Sequence, residues 1–386
     1  MAKAKLKELH KREIKPISKN KRKNVYTNGI DDNYPERIDL LINNSTTAKL
    51  AVNKMVSFIV GKGFEDESLN TKIFNVKKGL TGYDLLVACA TSLVKQKAIT
   101  MHVNFNGLLE PNYLDVLPFK NCRKEKDDDI GNSGIWYYSE SWGNTGFSYN
   151  KKNNNAKWYY PYSRSESVLK SQFKKEDIDL VEVLKSEAYS HTFRGQVAYL
   201  NLEPEYIYPL SFIDPAYNDA DSEYHSSLNR NNVIKNGYSD KSIVFAREES
   251  EENEGYTIED TISDMVGSDG ANIGLQYVSA DVEDLTKEVH VVTLGSEVNA
   301  ERYRYFDEVN ERKILQCFEN LPEALVLSRD SSLLGDGGLK LRELKLNYSQ
   351  DTEYIRVRLS QFLKKIYPKY DWSIKPLIEQ QQEILK

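Results

Sequence analysis

Gly61-Lys62-Gly63-Phe64 puts two glycines and a lysine into four residues, a combination that could cradle phosphate. A glycine-rich loop can aim backbone N–H groups at phosphoryl oxygens while a lysine neutralises them. The order is wrong for that chemistry. The GxxxxGK[ST] spacing is absent, and these glycines follow a helical pattern, where phosphate-loop glycines open one. The expectation is a helix C-cap leading into a strand or turn. Gly267, Gly270 and Gly274 raise the same question and have the same defect: a helical pattern precedes them and a strand follows, the reverse of the dinucleotide fingerprint.

Paired acids could do general acid–base or metal chemistry. The candidates are Asp31-Asp32, Asp127 to Asp129, Asp219/Asp221 and Asp281/Glu283. None sits beside a positioned His or at a ligand-like spacing. The chain has no HExxH, no GxSxG and no Walker pair. Three scattered cysteines, Cys89, Cys122 and Cys317, argue against a disulfide framework or zinc site and fit a reducing cytoplasm. The expectation is no enzyme, no cofactor and no bound metal.

The 386 residues suffice for two or more domains. No apolar run approaches the ~18 residues that span a bilayer, and no h-region follows the basic N-terminus. Residues 1–24 carry ten Lys/Arg against two Glu. The overall charge of -6 therefore leaves the remainder near -14. Such an arm can bind nucleic acid or an acidic partner, or can be a solvated tail. Tyrosine is abundant, with 25 residues. Its apolar ring and polar tip suit wet interfaces, and equally suit aromatic-rich β-structure.

The elements follow from period and turn chemistry. Asn28-Gly29 marks a turn, and Pro35 suits a first helical turn. Ile38, Leu41 and Ile42 fall at helical spacing. After a cap region in NNSTT, Leu50, Val52, Met55, Val56, Ile59 and Val60 continue it. Residues 83–99 read as a buried helix, and Met101 to Gly107 as a strand entering a turn. From Tyr113 to Tyr160 short aromatic strands alternate with NTG and NNN turns. Those aromatics could stack on bases, but cross-strand packing accounts for them as well. Residues 165–190 read as partly helical, and VAYLNLEPEYIYPL returns to strand-like alternation. Tyr217, Ala220, Tyr224 and Leu228 form one helical stripe, ended by Asn236-Gly237. Ser242–Ala246 and Lys287–Leu294 read as strands, as does GANIGLQYV. EESEENEG reads as a solvated loop, and Thr257–Gly267 as a helix. Tyr303, Phe306, Val309 and Ile314 mark another helix, broken at Leu321-Pro322. After SRDSSLLGDGG, one long helix is expected from Leu339 over about seven turns to Pro368. IEQQQEILK reads as a short helix or a disordered tail.

The stretch Asn28–Phe64, NGIDDNYPERIDLLINNSTTAKLAVNKMVSFIVGKGF, resembles the amino-terminal segment of tailed-bacteriophage (prophage) portal proteins. There an Asn/Gly turn, a Tyr-Pro and a helix ending in GxGF introduce the wing. The order of the later elements resembles that family too, over roughly residues 25–370. The resemblance implies an α+β, portal-like subunit: a β-rich wing, two stem helices, a small αβ clip and a long C-terminal tunnel helix, with a crown minimal or absent. Residues 1–24 would be a basic flexible arm. Residues 25–209 would be the wing, β-rich over 113–209. Residues 215–237 and 298–318 would be stem helices around the clip at 238–297, whose αβ segment is Lys241–Gly295. Residues 319–367 would hold the tunnel loop and long helix, and 368–386 a short tail. The loop Ser328–Gly338 would face DNA, with Ser328, Arg329, Asp330, Ser331, Ser332, Lys340 and Arg342 near the channel.

The resemblance further implies a ring, in this family typically a dodecamer. It would be made in the bacterial cytoplasm and built into the virion at one capsid vertex, with no membrane. Duplex DNA would pass through in packaging and ejection. Partners would be the terminase large subunit, a head–tail adaptor, and major capsid and scaffold proteins. Two other readings remain: a nucleic-acid-binding protein using the basic arm and aromatic β-module, or an enzyme using a carboxylate cluster.

Overall fold

A computed structural model describes residues 25–29, 31–126, 134–140, 142, 156–179, 193–235, 241–246, 273–277, 289–294, 300–327 and 339–378. It is a mixed helix-and-sheet chain of two compact units. The first comprises residues up to Tyr217 together with Arg312–Lys386, and the second is Asn218–Glu311.

The first unit opens with α1 (Tyr34–Asn44), started by Pro35 and burying Ile38, Leu41 and Ile42. Ser45 ends it and caps α2 (Thr46–Val60), its hydroxyl accepting the Ala48 N–H at 3.0 Å. The buried stripe of α2 is Ala48, Ala51, Val52, Met55, Phe58 and Ile59. Leu50, expected in that stripe, is 39% exposed, because it falls off the face that Ala48, Ala51, Val52 and Met55 bury.

Next come α3 (Glu67–Thr71) and the hairpin of β1 (Ile73–Asn75) with β2 (Leu80–Thr81). Thr81 and Asp84 form a reciprocal capping box for α4 (Gly82–Gln96). The expected helix 83–99 stops early. Lys97 adopts a left-handed conformation, φ 51°, and Ala98 and Ile99 already pair with Asn201 and Leu200. Sheet hydrogen bonding overrides the helical period there.

The main sheet contains β3 (Ala98–Phe105), β4 (Pro111–Leu117), β5 (Cys122–Lys124), β6 (Trp136–Tyr138), β7 (Lys157–Pro161) and β8 (Gln196–Asn201). Its order is β4-β3-β8-β7-β6-β5. Neighbours are antiparallel except β7–β8. That parallel pair needs a crossover, and α5 (Glu166–Lys175) lies within it. Phe119, Trp136, Val197 and Tyr208 pack with Leu117 and Cys122 on one side of the sheet. The Trp136 and Tyr199 rings approach to 4.7 Å.

The second unit contains all but the first residue of α6 (Tyr217–Lys235) and α7 (Ala300–Cys317) as far as Glu311. It holds a three-stranded sheet of β9 (Lys241–Ala246), β10 (Ile273–Tyr277) and β11 (Val289–Leu294). β9 is central, parallel to β10 and antiparallel to β11. Arg230 on α6 pairs with Asp307 on α7 at 2.8 Å, and Asp307 also accepts from Ser226 at 3.3 Å. The expected helix Thr257–Gly267 and the acidic loop from Glu248 lie outside the described residues.

The expected single C-terminal helix is two: α8 (Leu339–Asp351) and α9 (Glu353–Ile366). The break falls at Thr352. Its hydroxyl donates to the Tyr348 carbonyl at 3.0 Å, and the Arg356 N–H to Thr352 O stretches to 3.4 Å. The ladder is loosened there and not cut, since the Thr352 N–H still donates to Tyr348 O at 3.2 Å.

The residues after Pro368 double back onto GKGF. The Lys375 N–H donates to Gly63 O at 2.8 Å, Lys62 N–H to Lys375 O at 3.0 Å, and Glu65 N–H to Ser373 O at 2.8 Å. Trp372 is 1% exposed, with its ring edge on Phe64 at 5.2 Å. Gly61 has φ 57°, and a Cβ there would lie 2.0 Å from the Lys375 carbonyl oxygen. GKGF therefore ends a helix, as its spacing predicts, and is also the dock for the segment around Trp372 and Lys375.

Trp372→Ala should lower stability by about 3–5 kcal/mol in urea unfolding. Gly61→Ala should act on the same contact, so the two losses should add to less than their sum.

Candidate functional site

The motif NGIDDNYP holds a densely bonded polar cluster. Asp32 sits at φ 63°, which aims its carboxylate inward. One oxygen accepts from the Asn28 N–H at 2.8 Å and from Arg123 Nε at 2.6 Å. The Arg123 side chain is 1% exposed and that of Asp32 3%. The guanidinium also reaches the carbonyls of Asp32, Lys120 and Cys122, each at 2.8 Å. The Tyr34 hydroxyl donates to Asp214 Oδ1 and accepts from the Ser211 N–H, both at 3.0 Å. Asp214 lies in the 3-10 turn Asp214–Ala216, immediately before α6. The motif thus fastens α1 to strand β5 and to the root of α6. Its acids are taken up by structural contacts: Asp31 pairs at the surface with Arg37 at 3.0 Å, and Asp32 is engaged by the Arg123 guanidinium and the Asn28 N–H.

The remaining acid pairs form no site among the described residues. Asp127 to Asp129, Asp281 and Glu283 lie outside the described residues. Asp221 faces exposed His225 one turn along α6, at 3.7 Å. Among the described residues, no three of His, Cys, Asp and Glu are placed to hold a metal ion. Cys89 and Cys122 are buried free thiols, and burial pushes Cys122 up to about 12. A thiol so raised is a weak nucleophile at neutral pH. No described helix is long and apolar enough to cross a membrane. A cleft of about 520 Å³ borders the main sheet and α9, walled by Trp136, Tyr162, Tyr199 and Phe362. Its described lining includes neither His nor Cys.

Of the residues expected near a DNA channel, Ser328, Arg329, Asp330, Ser331 and Ser332 lie outside the described residues. Lys340 and Arg342 are exposed in the first turn of α8. The basic arm 1–24 also lies outside, and the description begins at Val25, which is buried against Tyr137 and Trp142.

The aromatic β-module is spent largely on itself. Trp136, Tyr137 and Trp142 are buried, and Trp142 Nε1 donates to Asn121 O at 2.7 Å. Half-buried Trp158 carries the Arg194 guanidinium over its ring at 4.5 Å.

Two polar residues that the sequence does not single out are held in place: Arg356 is buried and His102 half-buried. Arg356 donates to Phe58 O, Ser349 O and Thr352 Oγ1. A lone arginine in an amphipathic helix gives no signal of this in sequence. His102 lies between the Tyr113 and Tyr159 rings, and its Nε2 bonds to Arg194 O at 2.8 Å. That nitrogen must be the donor, so Nε2 carries the proton. Burial pulls the His102 pKa below its ordinary value, against weaker opposing help from the Arg194 carbonyl and Asp115.

No family model matches the chain, and no curated protein matches it. Solved structures do. The chain is similar to one in the virion of the native gene transfer agent particle: TM-score 0.46, 12% identity, covering 89% of this chain and 84% of that one. It is similar to one in the neck of the empty gene transfer agent particle computed with C6 symmetry: TM-score 0.46, 12% identity, 90% and 86% covered. It is also similar to an HK97 family phage portal protein from Corynebacterium diphtheriae: TM-score 0.40, 8% identity, 85% and 90% covered.

Arg123→Met should cost about 3–5 kcal/mol, because it strands the Asp32 carboxylate in the interior. Asp32→Asn in the same chain should recover part of that loss. His102 makes a separate prediction for pH. Its folded pKa is lowered, so below about pH 6.5 the unfolded chain binds a proton that the folded chain refuses. Its contribution is complete above that pH and is lost as pH falls. Urea midpoints at pH 7.5 and 5.5 should therefore differ more for wild type than for His102→Gln.

Proposed function

We propose that the chain is the repeating subunit of a portal ring, a structural conduit for duplex DNA at one vertex of a tailed-phage capsid. The observation that carries this reading is the unit Asn218–Glu311. It holds a three-stranded sheet between two helices that bond to each other through Asp307. Those helices, α6 and α7, coincide with the expected stem segments, and β9–β11 with the expected clip. Both stand in the order in which the sequence resembles portal proteins, after a sheet-rich region that corresponds to the wing.

In this reading the clip docks the terminase large subunit and a head–tail adaptor, while the outer parts meet capsid and scaffold proteins. The ring holds about twelve copies, related by closed rotation through heterologous interfaces. Lys340, Arg342 and the segment Ser328 to Ser332 are the residues this reading assigns to the DNA channel. A conduit must let DNA slide. Neutralising 6–10 phosphates ties affinity steeply to salt and holds a duplex tightly. An acidic chain with few cations near the passage avoids that grip. The role is structural and requires no catalytic group or cofactor.

The competing reading, base stacking by the aromatic module, loses support from the packing of Trp136, Tyr137 and Trp142 into the core.

Negative-stain microscopy with mass photometry tests the proposal. The expected result is rings with a central hole, at about twelve times the 44.4 kDa chain mass. A protein that stays monomeric and binds duplex DNA only while residues 1–24 are present would replace this reading with the nucleic-acid-binding one.

A further inference from the structure

We infer that the end of α7 is a strained turn latched by α8 and α9, so that this helix terminus and the Thr352 break move as one unit. The inference does not depend on ring assembly.

The strain is local and visible. Glu319 and Asn320 follow α7 with φ 54° and 51°, two consecutive non-glycine residues in the left-handed region. Asn tolerates that region because its short side chain can bond locally, but Glu has no such relief. Such a conformation persists only where surrounding structure over-determines it. Here the ties are clear. The Asn320 N–H reaches back to Gln316 O and the Leu321 N–H to Leu315 O, both at 3.2 Å. Phe318 is buried beneath the turn.

Two tyrosines then hold the turn from outside. The buried Tyr348 hydroxyl, in the last turn of α8, donates to Phe318 O at 2.9 Å. The Tyr354 hydroxyl, in the first turn of α9, donates to Glu319 Oε1 at 2.8 Å. These residues flank Thr352. Tyr348 takes part on both sides, because its own carbonyl accepts the Thr352 hydroxyl at 3.0 Å. A shift of Tyr348 would therefore disturb both its hydroxyl bond to Phe318 and the carbonyl that holds Thr352. Releasing Phe318 would in turn free the strained residues to relax. Segment 328–338 lies in sequence between α7 and α8, so the latch joins the elements on either side of it by a path that bypasses it.

Hydrogen exchange with mass spectrometry on the full chain tests this. In Tyr348→Phe, amides in 313–327 and in 346–356 should both exchange at least tenfold faster. A change confined to one segment, or no change, overturns the coupling. Strain is tested by Glu319→Gly in a Tyr354→Phe background, where the side-chain bond is already gone. Exchange in 316–323 should then slow, since glycine accepts positive φ freely. Exchange that quickens or stays unchanged shows that the turn is not strained. If Tyr348→Phe fails to fold, Tyr354→Phe, which loses only a surface bond, carries the coupling test on the same two segments with a smaller expected rise.

Discussion

A guanidinium shut away from water must find all its partners inside the protein, and Arg123 does so on one short stretch of chain. Asp32 supplies the charge and a carbonyl, and the turn before β5 supplies two carbonyls more. A buried pair of this kind contributes little net stability beyond an apolar substitute, but it tolerates no loose geometry. Its value is in register. With Asp32 fixed at positive φ, the Asn28–Asp32 turn is fixed, Tyr34 meets Asp214, and α1 starts at Pro35. One side-chain pair therefore sets where the first helix, the main sheet and the root of α6 stand within the first unit.

Arg356 solves the same problem without a carboxylate. It caps the last turns of α2 and α8 through the Phe58 and Ser349 carbonyls. The negative ends of two helices, each equivalent to about half a charge, stand in for a counter-ion. The C-terminal strap likewise joins the end of α2 by backbone bonds, with Trp372 filling the space beneath. Charged and polar groups in this unit are stationed where chain ends would otherwise leave carbonyls unmet.

The tyrosine surplus fits this economy. Tyr208 donates to Tyr26 O, Tyr162 to Ile366 O, Tyr199 to Ile207 O and Tyr348 to Phe318 O. In each case the ring adds apolar area while the hydroxyl satisfies a main-chain carbonyl far along the sequence or across a turn. Burial pushes the Tyr162 hydroxyl up to about 12. These groups stay protonated donors across the ordinary pH range. Many of the tyrosines that composition alone would assign to wet interfaces or base stacking are internal ties.

Local chemistry was legible in the sequence. The Pro35 start of α1, the apolar stripe through Met55 and Ile59, the Gly61 cap and the short aromatic strands all follow from periods and turn residues a few positions apart. So does the rejection of GKGF as a phosphate loop. What could not be read was whatever depends on a distant partner. The early stop at Gln96 is enforced by Asn201 and Leu200. Among the acid pairs, Asp32 differs from Asp31 only because Arg123, 91 residues on, meets one and not the other. The break at Thr352 and the docking of Trp372 carry no local signal, since hydroxyls and aromatics read the same way in a straight helix or a free tail. The sequence determined which segments could be helices, strands and caps, because those preferences act within a turn or two. The tertiary structure decided which charges were buried and which helices were broken, because a buried charge or carbonyl is satisfied only by groups that folding brings from far along the chain.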